Sequence, residues 1–173
     1  MFSDYENKHK GEQIYVIGAS SHMNHVNRAF FDGKITVGCN FAYKNYPIKY
    51  TISKHWGVIK EWVPKDKPDS MLFHPKYTTD MGGFEIQEIG TFFPADEFYW
   101  PRTIMGAAID FARYLGAREI IVFGAQSNGE YMDKYKGMTD NISREIFMLQ
   151  ADKNIRDLIE LIWLKYGVWV TRL

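Results

Sequence analysis

The chain has 173 residues, 46% hydrophobic and 24% charged, which supplies one packed domain and excludes a disordered polymer. Its 21 basic residues balance its 21 acidic ones, so no excess of cations displaces counterions and general nucleic-acid binding is not expected. The single cysteine, Cys39, excludes an intrachain disulfide and a multi-cysteine zinc site. In its apolar stretch it reads as a small buried hydrophobe. The polar start "MFSDYENKHKGEQ" has no export region, and no apolar run approaches the ~20 residues of a membrane span. A soluble, cytoplasmic protein is expected.

In chain order, Gln13 to Ile17 predicts a buried strand that stops at Gly18 and opens into "GASSHMNHVN". Lys34 to Gly38 ("KITVG") predicts a second strand after the turn "FDG", and Ile48 to Ser53 ("IKYTIS") a third. Ser70 to His74 ("SMLFH") follows the breaker-rich "VPKDKPDS" as a fourth. Residues 75–101 read as an irregular flap, in which "FEIQEIGTFF" is compatible with a strand. From Thr103 the pattern turns helical, with Ile104, Ala107, Ala108, Phe111, Ala112 and Leu115 on one stripe and Gly116 as the C-cap. Ile120 to Phe123 is an unbroken apolar strand ending at Gly124, the mark of a central parallel strand. Ser143 to Lys165 predicts a long amphipathic helix capped by Ser143, with Met148 and Trp163 assigned to the core, and "YGVWVTRL" a closing strand.

This alternation predicts a single α/β domain over 1–173, a Rossmann-like three-layer sandwich around a mostly parallel sheet. Such sheets bind ligands at the carboxyl ends of their strands, near the switch point in strand order. Two strand ends stand out, Gly18-Ala19-Ser20-Ser21 and the start of the ligand-loop region at 124–143.

The first has the chemistry of a phosphate site, since Gly18 permits a tight turn and Ser20, Ser21 and following amides donate to an anion. It is neither GxGxxG nor a P-loop, so a strand, a glycine and a helix cap remains the plain alternative. "WPRTIMG" places Arg102, Thr103 and Gly106 at a helix start, where a cation and the helix dipole both favour an anion. His22 and His25 are three apart, but no nearby carboxylate completes a metal set. His55, after a strand end, and His25 are the candidate catalytic bases. Tyr131 and Tyr135 are candidates to stack on a ring, and no GxSxG elbow or glycosidase-like carboxylate pair is present.

The succession "GASS", "VGCNFAY", "KYTISKHW" and "RTIMGAAIDFARYLGAREIIVFGAQSNGEY" resembles the bacterial lipooligosaccharide sialyltransferases and the Rossmann-like domain of unknown function 115 family. The resemblance covers roughly residues 13–131 together with the last helix and strand. It implies nucleotide binding by Gly18, Ala19 and Ser20 at the phosphate, with Asn40 and Ser53 reaching the ligand from the second and third strand ends. It further implies that Met105-Gly106, with Thr103, is the helix-start pair, and that Tyr131 and Tyr135 are the loop aromatics. The departures are a first loop of Gly-Ala-Ser-Ser in place of Gly-x-Gly-Pro-Ser, Gln126 where an aspartate is usual, and no histidine between residues 124 and 143.

The function expected is that of a transferase-like enzyme with a nucleotide-sugar donor. Asn40 and Gln126 would hold base or ribose, Tyr131 would cover them, and Arg102 would offset leaving-group charge. The alternatives are a nucleotide-sequestering module, a pyrophosphoryl-transfer enzyme using Mg2+ held by Asp133 and Asp140, and an interaction protein on the same scaffold. The aromatic content of 16% adds the expectation of a homo-oligomer.

Overall fold

The computed structural model describes residues 2–53, 71–75, 91–93, 103–125 and 144–173. Seven strands among them form one sheet: β1 (Gln13–Ile17), β2 (Ile35–Cys39), β3 (Tyr50–Ile52), β4 (Met71–Pro75), β5 (Thr91–Phe93), β6 (Glu119–Phe123) and β7 (Trp169–Arg172). Their order is β5-β4-β3-β2-β1-β6-β7, and every neighbouring pair is parallel. Two α-helices are described, α1 (Ile104–Tyr114) and α2 (Arg144–Tyr166). The expected strands and the two long helices are present with ends shifted by up to three residues, and the strand allowed within "FEIQEIGTFF" is β5; the rest of the 75–101 flap and of the 124–143 loop region lies outside the described residues. The N-cap expected at Ser143 lies outside the described residues.

The unbroken apolar runs of β1 and β6 follow from covering both sheet faces. Ile14, Val16, Ile120 and Val122 point to one face, packed by Ala107, Ala108 and Phe111 of α1 and by Ile155, Leu158 and Ile162 of α2. Tyr15, Ile17, Ile121 and Phe123 point to the other. There the cover is three short 3₁₀ turns, Ser21–His25, Arg28–Phe31 and Asn40–Lys44, which bury Met23, Phe31 and Ala42. The three layers are therefore helix, sheet and 3₁₀ turns: both described α-helices lie on one face. The helix expected after "GASS" is a single 3₁₀ turn, because Met23 and then Phe31 must each drop into the sheet within ten residues. Trp163, expected in the core, is 42% exposed and stacks on Trp169, with centroids 4.0 Å apart. The buried stripe of α2 runs instead through Ala151, Ile155, Leu158 and Ile162.

Helix α1 is closed at both ends. Thr103 Oγ1 accepts from the Gly106 amide at 3.0 Å. At the other end Gly116, at φ +89°, completes a Schellman turn: the Ala117 amide donates to the Ala112 carbonyl and that of Gly116 to Arg113. The N-terminal segment covers the same end, as the amides of Asn7, His9 and Gly11 donate to the carbonyls of Tyr114, Leu115 and Gly116.

Candidate functional site

After β1 the chain builds outward through β2 to β5, then returns to place β6 on the opposite side of β1. The switch point therefore lies between β1 and β6, and their carboxyl ends carry the two glycine turns, Gly18 and Gly124. These touch. The Ser20 amide donates to the Gly124 carbonyl at 3.4 Å. A Cβ on Gly18 would overlap that carbonyl oxygen and approach Met105 Cε, in the first turn of α1, to 2.5 Å. Gly124 sits at φ +67° with Met23 Cγ 2.6 Å from where its Cβ would be. Both glycines are thus required by close approach, and that approach draws the N-terminus of α1 over the turn.

Within the turn, Ser20 is buried and its backbone is extended, yet its hydroxyl does not cap the 3₁₀ turn and has no hydrogen-bond partner among the described residues. A buried hydroxyl without a partner costs on the order of 1–3 kcal/mol, and such groups in folded proteins call for an explanation. The turn itself is firmly held: Met23 is 1% exposed, its carbonyl accepts from Tyr46 Oη at 2.5 Å, and its amide donates to the Ser20 carbonyl at 3.0 Å. The orphan hydroxyl is therefore a fixed feature of the strand end. Ser21 begins the 3₁₀ turn at intermediate exposure, as does Ala19 before it.

One strand further out, Ser53 Oγ donates to Asn40 Oδ1 at 3.0 Å, joining the carboxyl ends of β2 and β3. Asn40 takes φ +51°, a left-handed conformation that asparagine tolerates better than most residues. Its Oδ1 being engaged, the side chain retains two N–H donors for a ligand acceptor. Thr103 accepts from Gly106 and keeps its own hydroxyl proton, whereas the Gly106 amide is consumed by that cap. The first-turn amides of an α-helix have no intrahelical carbonyl to bond, and with the helix dipole this makes the N-terminal end of the 11-residue α1 favourable to an anion.

His22 and His25 are exposed on the 3₁₀ turn, and no group of three metal-capable side chains is assembled among the described residues. His55, Arg102, Gln126, Tyr131 and Tyr135, and with them Asp133 and Asp140, lie outside the described residues. Cys39 is buried, with its thiol pushed up to about 12 by desolvation, which keeps it in the unreactive thiol form.

Two participants were not marked by the sequence. Tyr46 anchors the turn through Met23. Arg172, at the carboxyl end of β7, donates from Nη2 to the Ala125 carbonyl at 2.7 Å. Neither carries a motif, since both act on a backbone carbonyl brought close only by the tertiary fold.

A parallel sheet whose switch point carries two glycine turns close to a helix N-terminus defines a Rossmann-like α/β fold. No protein-family model and no curated protein matches the chain. Solved structures do. The sialyltransferase CstII from Campylobacter jejuni, in complex with the substrate analogue CMP-3FNeuAc, superposes with a TM-score of 0.61 at 10% identity, covering 94% of this chain and 81% of that one. The same enzyme in complex with cytidine-5'-monophosphate gives 0.58 at 11% identity, over 95% and 80%. At such identities the likeness establishes the fold alone, and the resemblance noted in the sequence holds at that level.

Proposed function

We propose that the protein binds a nucleotide or nucleotide sugar, a cytidine nucleotide first among them, at the β1/β6 switch point and transfers the sugar to a hydroxyl acceptor. The observation that carries this reading is the buried hydroxyl of Ser20, without a hydrogen-bond partner among the described residues, in the glycine turn that Met105 of α1 approaches at Gly18. A phosphate there would accept from Ser20 Oγ, the Thr103 hydroxyl and first-turn amides of the helix. Asn40, its carbonyl held by Ser53, would donate to a carbonyl or ring nitrogen of the base. Ala19 and Ser21 flank the contact, and Arg102, Gln126, Tyr131 and Tyr135 are proposed to complete it. In the transfer, the acceptor oxygen attacks the anomeric carbon and the bond from that carbon to the phosphate oxygen breaks. The nucleotide leaves with the bonding electrons, and the acceptor proton passes to His25 or His55.

The test is calorimetric titration and thermal denaturation with CMP, CDP, UDP, GDP and ADP and their sugar conjugates, with and without magnesium. A ligand present at 100 times its dissociation constant adds about 2.7 kcal/mol of stability. A selective response to CMP or a CMP-sugar is expected, and silence across the panel overturns the reading. Product formation from the selected donor separates transfer from retention of the nucleotide without turnover, and magnesium-dependent release of AMP marks pyrophosphoryl transfer instead. A cytoplasmic location and self-association belong to the same proposed reading, and sedimentation velocity of the purified protein tests the second.

A further inference from the structure

Arg172 occupies an unusual place for a cation. It ends the edge strand β7, its side chain is 25% exposed, and its guanidinium reaches the backbone just past the end of the neighbouring strand β6. Its Nη2 donates to the Ala125 carbonyl at 2.7 Å, and the same nitrogen lies 2.8 Å from Asp152 Oδ1 on α2. Asp152 is itself 18% exposed and also 3.3 Å from Arg156 Nη2. Next along the chain, the Leu173 amide donates to the Val122 carbonyl at 2.9 Å.

The carbonyl that Arg172 holds is one residue past Gly124. Gly124 in turn carries the carbonyl on which the Ser20 amide rests, and Phe123 the one that receives the Gly18 amide at 2.8 Å. A continuous path therefore runs from the Asp152 carboxylate through the Arg172 guanidinium to the Gly124–Ala125 turn, and from there to the backbone of Ser20. Gly124 is at positive φ and has no side chain, so its own turn is the loosest joint in that path. A charged donor on the next carbonyl removes the freedom that glycine introduces. Charge-assisted bonds of this kind are about twice as strong as neutral ones.

We propose that Arg172 is a positioning residue for the switch-point site: by holding the Ala125 carbonyl it fixes the Gly124 turn, and through it the placement of Ser20, with Asp152 orienting the guanidinium. That the site so positioned takes a nucleotide rests on the function proposed above; that Arg172 fixes the turn does not.

Amide hydrogen exchange followed by NMR and calorimetric titration with CMP, applied to the same proteins, test the two statements separately. In Arg172→Met, exchange at Ser20 and Gly18 is expected to speed up several-fold relative to Val16 in the middle of β1. CMP affinity is expected to fall about tenfold, the loss of one hydrogen bond to a charged group. Asp152→Asn, which keeps Arg172 but weakens its orientation, should move the same two amides by less, and it serves if Arg172→Met does not fold. In the double variant with Ser20→Ala, the affinity losses should be less than additive, because both act through one hydroxyl. Faster exchange confined to β7 and α2, with Ser20 and Gly18 unchanged, overturns the positioning role and leaves Arg172 as a clamp between strand and helix. Absence of CMP binding by the unaltered protein, with the exchange response intact, overturns the nucleotide reading and leaves the positioning role standing.

Discussion

Ser20 combines two properties that pull in opposite directions: under the proposed function its hydroxyl meets a ligand phosphate, and without one it leaves a buried hydroxyl unsatisfied. Ser20→Ala is therefore expected to stabilise the free protein by about 1 kcal/mol while weakening nucleotide binding, an exchange of stability for function common at binding sites. Urea denaturation and titration on the same preparation check it, and a variant both less stable and equally competent to bind would contradict the site. His9 poses a different question at the same scale. Its Nε2 is 2.7 Å from Tyr50 Oη, and burial first, then Lys49 and Lys8, hold its pKa below the usual 6.5 against an opposing pull from Glu12. Burial also pushes the Tyr50 phenol up to about 12, so it stays neutral. Because the unfolded chain takes up the His9 proton more readily than the folded one, stability present above pH 6.5 should fall as the pH drops towards the folded value. His9→Gln should flatten that part of a pH series of denaturation midpoints.

Among the elements, α1 shows most directly how local chemistry and close packing share the work. Its C-terminal glycine was readable as a cap. The structure adds that a Cβ on Gly116 would lie 2.9 Å from the Lys10 Cα, so the N-terminal segment packs against the glycine itself. Gly116→Ala would force a left-handed alanine against backbone and is expected to cost about 1–2 kcal/mol, read as a lower denaturation midpoint. Gly18→Ala acts between elements. Its methyl would press on the Gly124 carbonyl and on Met105, and overpacking of this sort costs typically about 1–3 kcal/mol. Since the displaced groups form the proposed site, nucleotide binding should be lost in protein that still folds; retained affinity would show that the turn is not where the ligand sits.

Among the described residues, the sheet is covered by α-helices on one face and by 3₁₀ turns on the other, and both covers are integral to the core. Phe31, in a four-residue turn, is completely buried and meets Tyr15, Tyr46 and Phe123 edge to face or nearly so, whereas its neighbour Phe30 is 46% exposed. Phe31→Ala should cost about 3–5 kcal/mol, as much as a large truncation under the helices, and Phe30→Ala far less. Equal losses would mean that the turns are a loose covering and that the helical face carries the stability.

What the amino-acid sequence determined by itself were the local events. Apolar runs closed by Gly18 and Gly124 marked two central strand ends, the stripe from Ile104 to Leu115 marked α1, and Gly116 marked its stop, because each depends on residues within a turn of one another. The second sheet face was misread for the same reason. A 3₁₀ turn of four or five residues has no period to detect, and the exposure of Trp163 depends on what faces α2, not on its own residue type. Only the tertiary structure decided that Gly18 lies against Gly124, that Ser53 holds Asn40 and that Arg172 holds Ala125. Those contacts join residues 13 to 106 positions apart, and they follow from the strand order, which parallel pairing sets through backbone bonds that any side chain can make.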